Sequence, residues 1–148
     1  MSNSNYCLIN PQGGLIEVRL SANNGLRSSA IFYLGKPIKP NGYDIVEQHD
    51  AESGDNGSVK FSLSTKSNKL LNHALAWSMN ACIQLPQIEN AILKIECWQD
   101  GNKCNTVRNT TYYGNFPQCS EGKQRSMKNQ VIFIEQPQTS NINLWASI

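Results

Sequence analysis

Charge is scarce in this chain, and what there is nearly cancels. Charged residues occupy 16% of its 148 positions and the formal net charge is +2, whereas globular chains usually carry about 25% charged residues. Disordered chains combine low hydrophobicity with high net charge; at 39% hydrophobic residues and near neutrality, this one is expected to fold. Nucleic-acid binders need a basic excess or a clustered basic face, because phosphate neutralisation supplies most of their affinity. The nearest feature here is Lys123, Arg125 and Lys128, which read as a solvated loop, so nucleic acid is not an expected partner. No apolar run approaches the ~20 residues a membrane-spanning helix needs, so no transmembrane insertion is expected either. The opening residues, Met1-Ser2-Asn3-Ser4-Asn5, lack the basic and apolar regions of a secretory signal.

The common catalytic signatures are also missing. There is no G-x-S-x-G elbow, P-loop, H-E-x-x-H or G-x-G-x-x-G, and only two histidines are present, His49 and His73. His49 sits in an acidic stretch and reads as an exposed imidazole among carboxylates; His73 reads as a packed boundary residue. No catalytic residue and no cofactor is assigned. The acidic stretch holds Asp44, Glu47, Asp50, Glu52 and Asp55 with Asn56 nearby, a supply of hard oxygen ligands for calcium. Its spacing does not follow an EF-hand loop, and no metal site is assigned.

Five cysteines are present: Cys7, Cys82, Cys97, Cys104 and Cys119. Without a C-x-x-C pair or ligand-spaced histidines, zinc is disfavoured. Cys97, Cys104 and Cys119 lie in a polar, turn-rich region and are the disulfide candidates. Bridges would suit an extracellular protein, or one exported without a visible signal; free buried thiols in a reducing compartment are the alternative, and localisation stays open.

Strand patterns recur between turn signals. Leu15 to Leu20 alternates, Asn23-Asn24-Gly25 is a turn signature, and Ser29 to Leu34 follows, so these two segments are expected to form a hairpin. Gly35 to Gly42 reads as a loop, Tyr43 to Val46 as a short edge strand, and residues 47–57 as an exposed acidic loop. Ser58 to Ser64 alternates with Val59, Phe61 and Leu63 inward. Residues 68–85 fit both a helical stripe and a period of two. The longer regular pattern, Leu75 to Leu85, favours a turn near 67–73 and then a strand ending at Pro86. Ile92 to Trp98 is a further strand, and Asp100-Gly101 is the strongest hairpin signal; it places Cys97 opposite Cys104. Gln130 to Glu135 is the final strand.

No internal repeat or long linker divides the chain. The pattern predicts one all-β domain over 1–148, an antiparallel, jelly-roll-like β-sandwich of about eight strands with at most one short helix. Residues 137–148 are expected to form a C-terminal tail that docks on the body through Leu144 and Trp145.

The segment with the best claim to function is Asn109-Thr110-Thr111-Tyr112-Tyr113-Gly114-Asn115-Phe116. Flat aromatic faces beside amide donors and acceptors suit sugar rings or a protein partner. Asn109, Tyr112, Tyr113, Asn115 and Phe116 are therefore the expected ligand-binding residues of a non-catalytic, lectin-like module for a glycan or another surface molecule. The competing expectations are a structural or protein-interaction subunit (an assembly component or inhibitor) and a membrane-active, toxin-like sandwich.

Overall fold

The computed structural model describes residues 5–23, 25–53, 57–84, 90–108 and 110–137. These residues form ten strands in two packed sheets, the all-β sandwich expected. One sheet has the order β1 (Tyr6–Ile9), β10 (Arg125–Glu135), β6 (Ala74–Ile83), β3 (Leu26–Pro37), β4 (Tyr43–Glu52). In the other, β5 (Ser58–Ser62) pairs with β2 (Glu17–Ala22) and β2 with β7 (Ile92–Gln99). The far side of β7 is shared by β8 (Asn102–Lys103) and β9 (Thr111–Tyr113). Neighbouring strands run antiparallel except β1, which lies parallel to β10. Helical structure among the described residues is limited to single 3-10 turns at Ser67–Lys69 and Cys119–Glu121.

The period-two patterns become the two inner faces. Leu75, Trp77, Met79 and Ala81 of β6 are buried, as are Val18 and Leu20 of β2 and Phe32 and Leu34 of β3. The aromatic centre is Phe32, 5.1 Å from Phe61 and 6.1 Å from Trp77 between ring centroids. Strict alternation over 74–83 thus outweighs the helical stripe, because each second side chain meets the opposite sheet. The end of the expected strand, toward Leu85 and Pro86, and the tail residues Leu144 and Trp145 lie outside the described residues.

The Asp-Gly hairpin forms as expected. Asp100 and Gly101 both take positive φ, 52° and 78°, the twist a two-residue hairpin turn requires, and Trp98 pairs with Lys103.

The basic stretch is not all loop, since Arg125 and Lys128 lie on β10 and only Lys123 precedes it, and three larger expectations fail. Leu15–Leu20 and Ser29–Leu34 do not form a hairpin: β2 pairs with β5 and β7, and β3 with β4 and β6. The turn is real, with Gly25 at φ 94°, but Asn23 is tied to Ile92 of β7 by its backbone N–H and by its side-chain oxygen. That anchor ends β2 on its own sheet, and β3 begins on the other.

The acidic stretch from Glu47 to Glu52 is strand rather than loop. On an edge strand Gln48, Asp50 and Glu52 reach solvent at no cost, while Ala51 is buried. The inward Glu47 and His49 close the open rim where β4 faces β5. His49 stacks on Phe61 at 4.3 Å and hydrogen-bonds Glu47 at 2.8 Å. Residues 54–56 lie outside the described residues. Opposite Leu34 and Gly35 the pairing slips by one residue; an added Cβ on Gly35 would lie 2.8 Å from the Tyr43 Cβ, so the backbones approach there only because of the glycine.

The third correction concerns the disulfide. Cys119 is bridged, but to Cys82, with 5.0 Å between Cα atoms. Cys97 and Cys104 are free and buried. The hairpin register does place them opposite each other, the Cys104 N–H donating to the Cys97 carbonyl at 2.8 Å. The Cys97 thiol, however, meets the Cys7 thiol in the core. Meanwhile a parallel bridge between Ile83 and Gln118 carries Cys119 to the end of β6 beside Cys82.

Candidate functional site

One end of the sandwich gathers the β2–β3 turn, the start of β7, the loop after β9 and the 3-10 turn at Cys119–Glu121. There the outer face of the β1-containing sheet opens as a groove of about 620 Å³, with Arg27, Ser29, Asn80, Lys123, Gln124 and Ser126 in its lining and the Cys82–Cys119 bridge at its edge. Sheet register explains the set. Ser29 lies opposite Glu52 on one side and Asn80 on the other, and Asn80 lies opposite Ser126. A single row, Glu52–Ser29–Asn80–Ser126, therefore crosses four strands on the face turned away from the core. The Ser126 hydroxyl donates to the Asn80 side-chain oxygen at 2.7 Å, leaving the Asn80 amide nitrogen as a donor. Arg27 and Lys123 add positive charge and Glu52 a carboxylate. The 3-10 turn ends at Gly122, in the left-handed region at φ 68°, which turns the chain back into β10 along the groove.

None of the described residues of the predicted binding segment lines this groove, and they take different roles. Tyr113 is 61% exposed and Asn115 is exposed, both at the surface of the same end. Phe116 is buried at 7% exposure, so it anchors the loop instead of meeting a ligand. Tyr112 is half-buried, its hydroxyl accepting from the Trp77 indole at 3.1 Å. Asn109 lies outside the described residues. Arg125 ties the loop to β10: its guanidinium sits 4.7 Å from the Phe116 ring centroid and donates to the Tyr113 and Gly114 carbonyls, each at 3.0 Å. Arg125 is paired with buried Ala81 and Ser126 with Asn80, so the loop is held on the core side of β10 while the groove lies on its outer side.

The groove residues escape a sequence reading because Arg27, Ser29, Asn80 and Ser126 look like ordinary outward positions on alternating strands. The alternation identifies the face; only register and the 82–119 bridge show that these positions converge.

Neither histidine lines the groove. His73 is buried and His49 is stacked at the opposite rim. Among the described residues no three His, Cys, Asp or Glu side chains are grouped to hold a metal ion, since Asp44, Glu47, Asp50 and Glu52 are strung along one strand. Among the same residues no helix is long and apolar enough to cross a membrane. Comparison with known proteins finds no matching family model, no similar curated protein and no similar solved structure.

Proposed function

We propose that the domain is a non-catalytic recognition module that binds a glycan in the groove on the outer face of the β1-containing sheet. The observation that carries this is the groove's lining: the amides of Asn80 and Gln124, serine hydroxyls and charges of both signs in a recess of about 620 Å³. Ligand sites usually measure about 300–1,000 Å³ and use a few convergent polar groups. Sugar hydroxyls pair with groups such as the Asn80 amide and the Ser29 hydroxyl. The test is a glycan array with the intact chain, followed by titration of any hit. Asn80→Ala and Gln124→Ala each remove one contact of about 1–1.5 kcal/mol, so each weakens binding by roughly tenfold. Phe116→Leu, which changes a buried anchor, alters stability more than affinity. No bound glycan, or binding unchanged in both variants, refutes the reading.

A second reading, a protein-interaction subunit, is favoured by one observation. β4 is a sheet edge with Tyr43, Ile45 and Val46 exposed at 42%, 63% and 46%, and such an edge can accept a strand from a partner. A pull-down in which Ile45→Asp abolishes capture of a single partner would favour it over glycan binding.

A further inference from the structure

At the end opposite the groove, register lines up a second row on the outer face of the β1-containing sheet. Tyr6 lies opposite Ile132, Ile132 opposite Ala74, Ala74 opposite Gly35 and Gly35 opposite Ile45, so the row crosses all five strands. On one side of it Leu8 lies opposite Ile134, and on the other Tyr33 lies opposite Ala76. Along each strand these positions alternate with core residues such as Cys7, Leu34, Leu75, Val131 and Phe133, so they face away from the core. Tyr6, Leu8, Tyr33, Ile132 and Ile134 are only partly buried, and none of them joins the hydrophobic core. The Tyr43 side chain leans over Gly35, its Cγ 3.2 Å from where a Cβ would stand, and Ile45 is 63% exposed. No residue of this face is charged, unlike the groove row with its Glu52. Contiguous apolar surface of this kind marks an interaction site.

We propose that residues 138–148 of the same chain cover this face. β10 delivers them to it. The Gln136 N–H donates to the Ile9 carbonyl at 2.8 Å, so Pro137 lies just past the Leu8–Ile134 edge of the patch. Residues 138–148 contain no Asp, Glu, Lys or Arg, and Ile142, Leu144, Ala146 and Ile148 fall at every second position. An extended chain with that period presents one apolar side, which matches an uncharged face. Length suffices: this segment reaches about 36 Å when extended, while five strands span only about 19 Å. Size argues against a second copy as the occupant. Three rows across five strands give a footprint of about 300 Å², whereas a stable interface takes about 800 Å² from each partner.

The test follows amide exchange in the intact chain and in Ile45→Asp and Ile134→Asp, changes at opposite sides of the face that leave the core side chains in place. In the intact chain, amides in residues 142–148 exchange roughly tenfold more slowly than in an unstructured peptide. That protection is independent of protein concentration, and light scattering gives a monomer. Each Asp variant returns these amides to the unstructured rate while β6 and β10 keep their protection. In the reverse direction, Leu144→Asp raises hydroxyl-radical labelling of Tyr6 and Tyr43. Exchange at the unstructured rate in the intact chain overturns the proposal, as does protection that appears only on dimerisation or that survives both Asp changes. Tyr6 and Tyr43 labelling unmoved by Leu144→Asp overturns it as well.

Discussion

Glu47 is the most heavily used side chain at the open rim, and removing it gives the sharpest test of how that rim is held. Its carboxylate, 10% exposed, accepts four hydrogen bonds: from the Ser64 N–H at 2.8 Å, the Thr65 N–H at 2.7 Å, the Thr65 hydroxyl at 2.6 Å and His49 Nε2 at 2.8 Å. It thereby ties β4 to the segment that follows β5 on the other sheet. A hydrogen bond to a charged group contributes about 1.5–3 kcal/mol, and such contributions do not add when they share one acceptor. The Ser64 and Thr65 amides lie near the surface and regain water when the carboxylate is lost. The expected cost of Glu47→Ala is therefore about 3 kcal/mol, or roughly 10 °C in Tm for a chain of this size. Glu47→Gln keeps the shape and one acceptor oxygen and costs about half as much. Burial raises the Glu47 pKa, but the hydrogen bonds from Thr65, Ser64 and His49 outweigh it and hold the carboxyl below its ordinary value. A carboxyl whose pKa is depressed by folding contributes its full stabilisation above the unfolded value, about 4.3, and loses it as pH falls through the folded value. The stability gap between the unmodified chain and Glu47→Gln is thus full at pH 7 and closes as pH drops below about 4. Urea unfolding of the three proteins across that range measures it. A Glu47→Ala cost under about 0.5 kcal/mol, the size of an ordinary surface change, or a gap as wide at pH 3 as at pH 7, refutes the reasoning.

Other consequences can be measured in the same way. The Cys82–Cys119 bridge spans 37 residues, so Cys82→Ser with Cys119→Ser costs about 3–4 kcal/mol by loop-closure entropy; it also frees the end of β6 and loosens the groove, read as faster amide exchange at residues 80–84 and 119–126. A cost below about 1 kcal/mol would show that the bridge constrains little. Buried Gln99 accepts from the Asn10 N–H at 2.9 Å and donates to the Asn10 carbonyl at 2.7 Å and the Gly14 carbonyl at 3.1 Å. Gln99→Leu strands those groups and costs about 2–4 kcal/mol, and limited proteolysis then cuts within residues 10–15, which the unmodified chain protects.

What could be read from the sequence divides along a physical line. Elements specified by their own residues were legible. Asp100-Gly101 carries its turn in its backbone preferences, and alternation over 74–83 marks a strand with one face buried. Elements specified by distant residues were not. Nothing near Asn23 says that Ile92 will hold it, so the turn after β2 reads as a hairpin when it is a crossing between sheets. Nothing near Glu47 and His49 says that Thr65 will meet the one and Phe61 the other, so an acidic edge strand reads as a loop. The bridge follows the same rule: Cys97 and Cys104 are close in sequence and opposite in register, yet Cys119 pairs with Cys82 because Ile83 and Gln118 happen to meet.

The candidate site lies on the far side of that line. Local chemistry points to Tyr113 and Asn115, which do reach the surface, and on the same grounds to Phe116, which is consumed as an anchor beneath Arg125. The groove takes nothing from that loop and draws Ser29, Asn80 and Ser126 from three strands, each alone an unremarkable polar residue facing outward. Their convergence is a property of sheet register, which one-residue shifts would destroy by turning every second side chain inward. On the proposed function, recognition depends on the core as much as on the groove's own side chains. A change that slips β6 against β10, such as a bulky residue replacing Ala81, removes Asn80 and Ser126 from the groove together, whereas Gln124→Ala removes one contact and leaves the row intact. Binding in the first variant should fall below detection and in the second by roughly tenfold, the weight of one contact. Equal losses in both would mean that recognition does not depend on the aligned row.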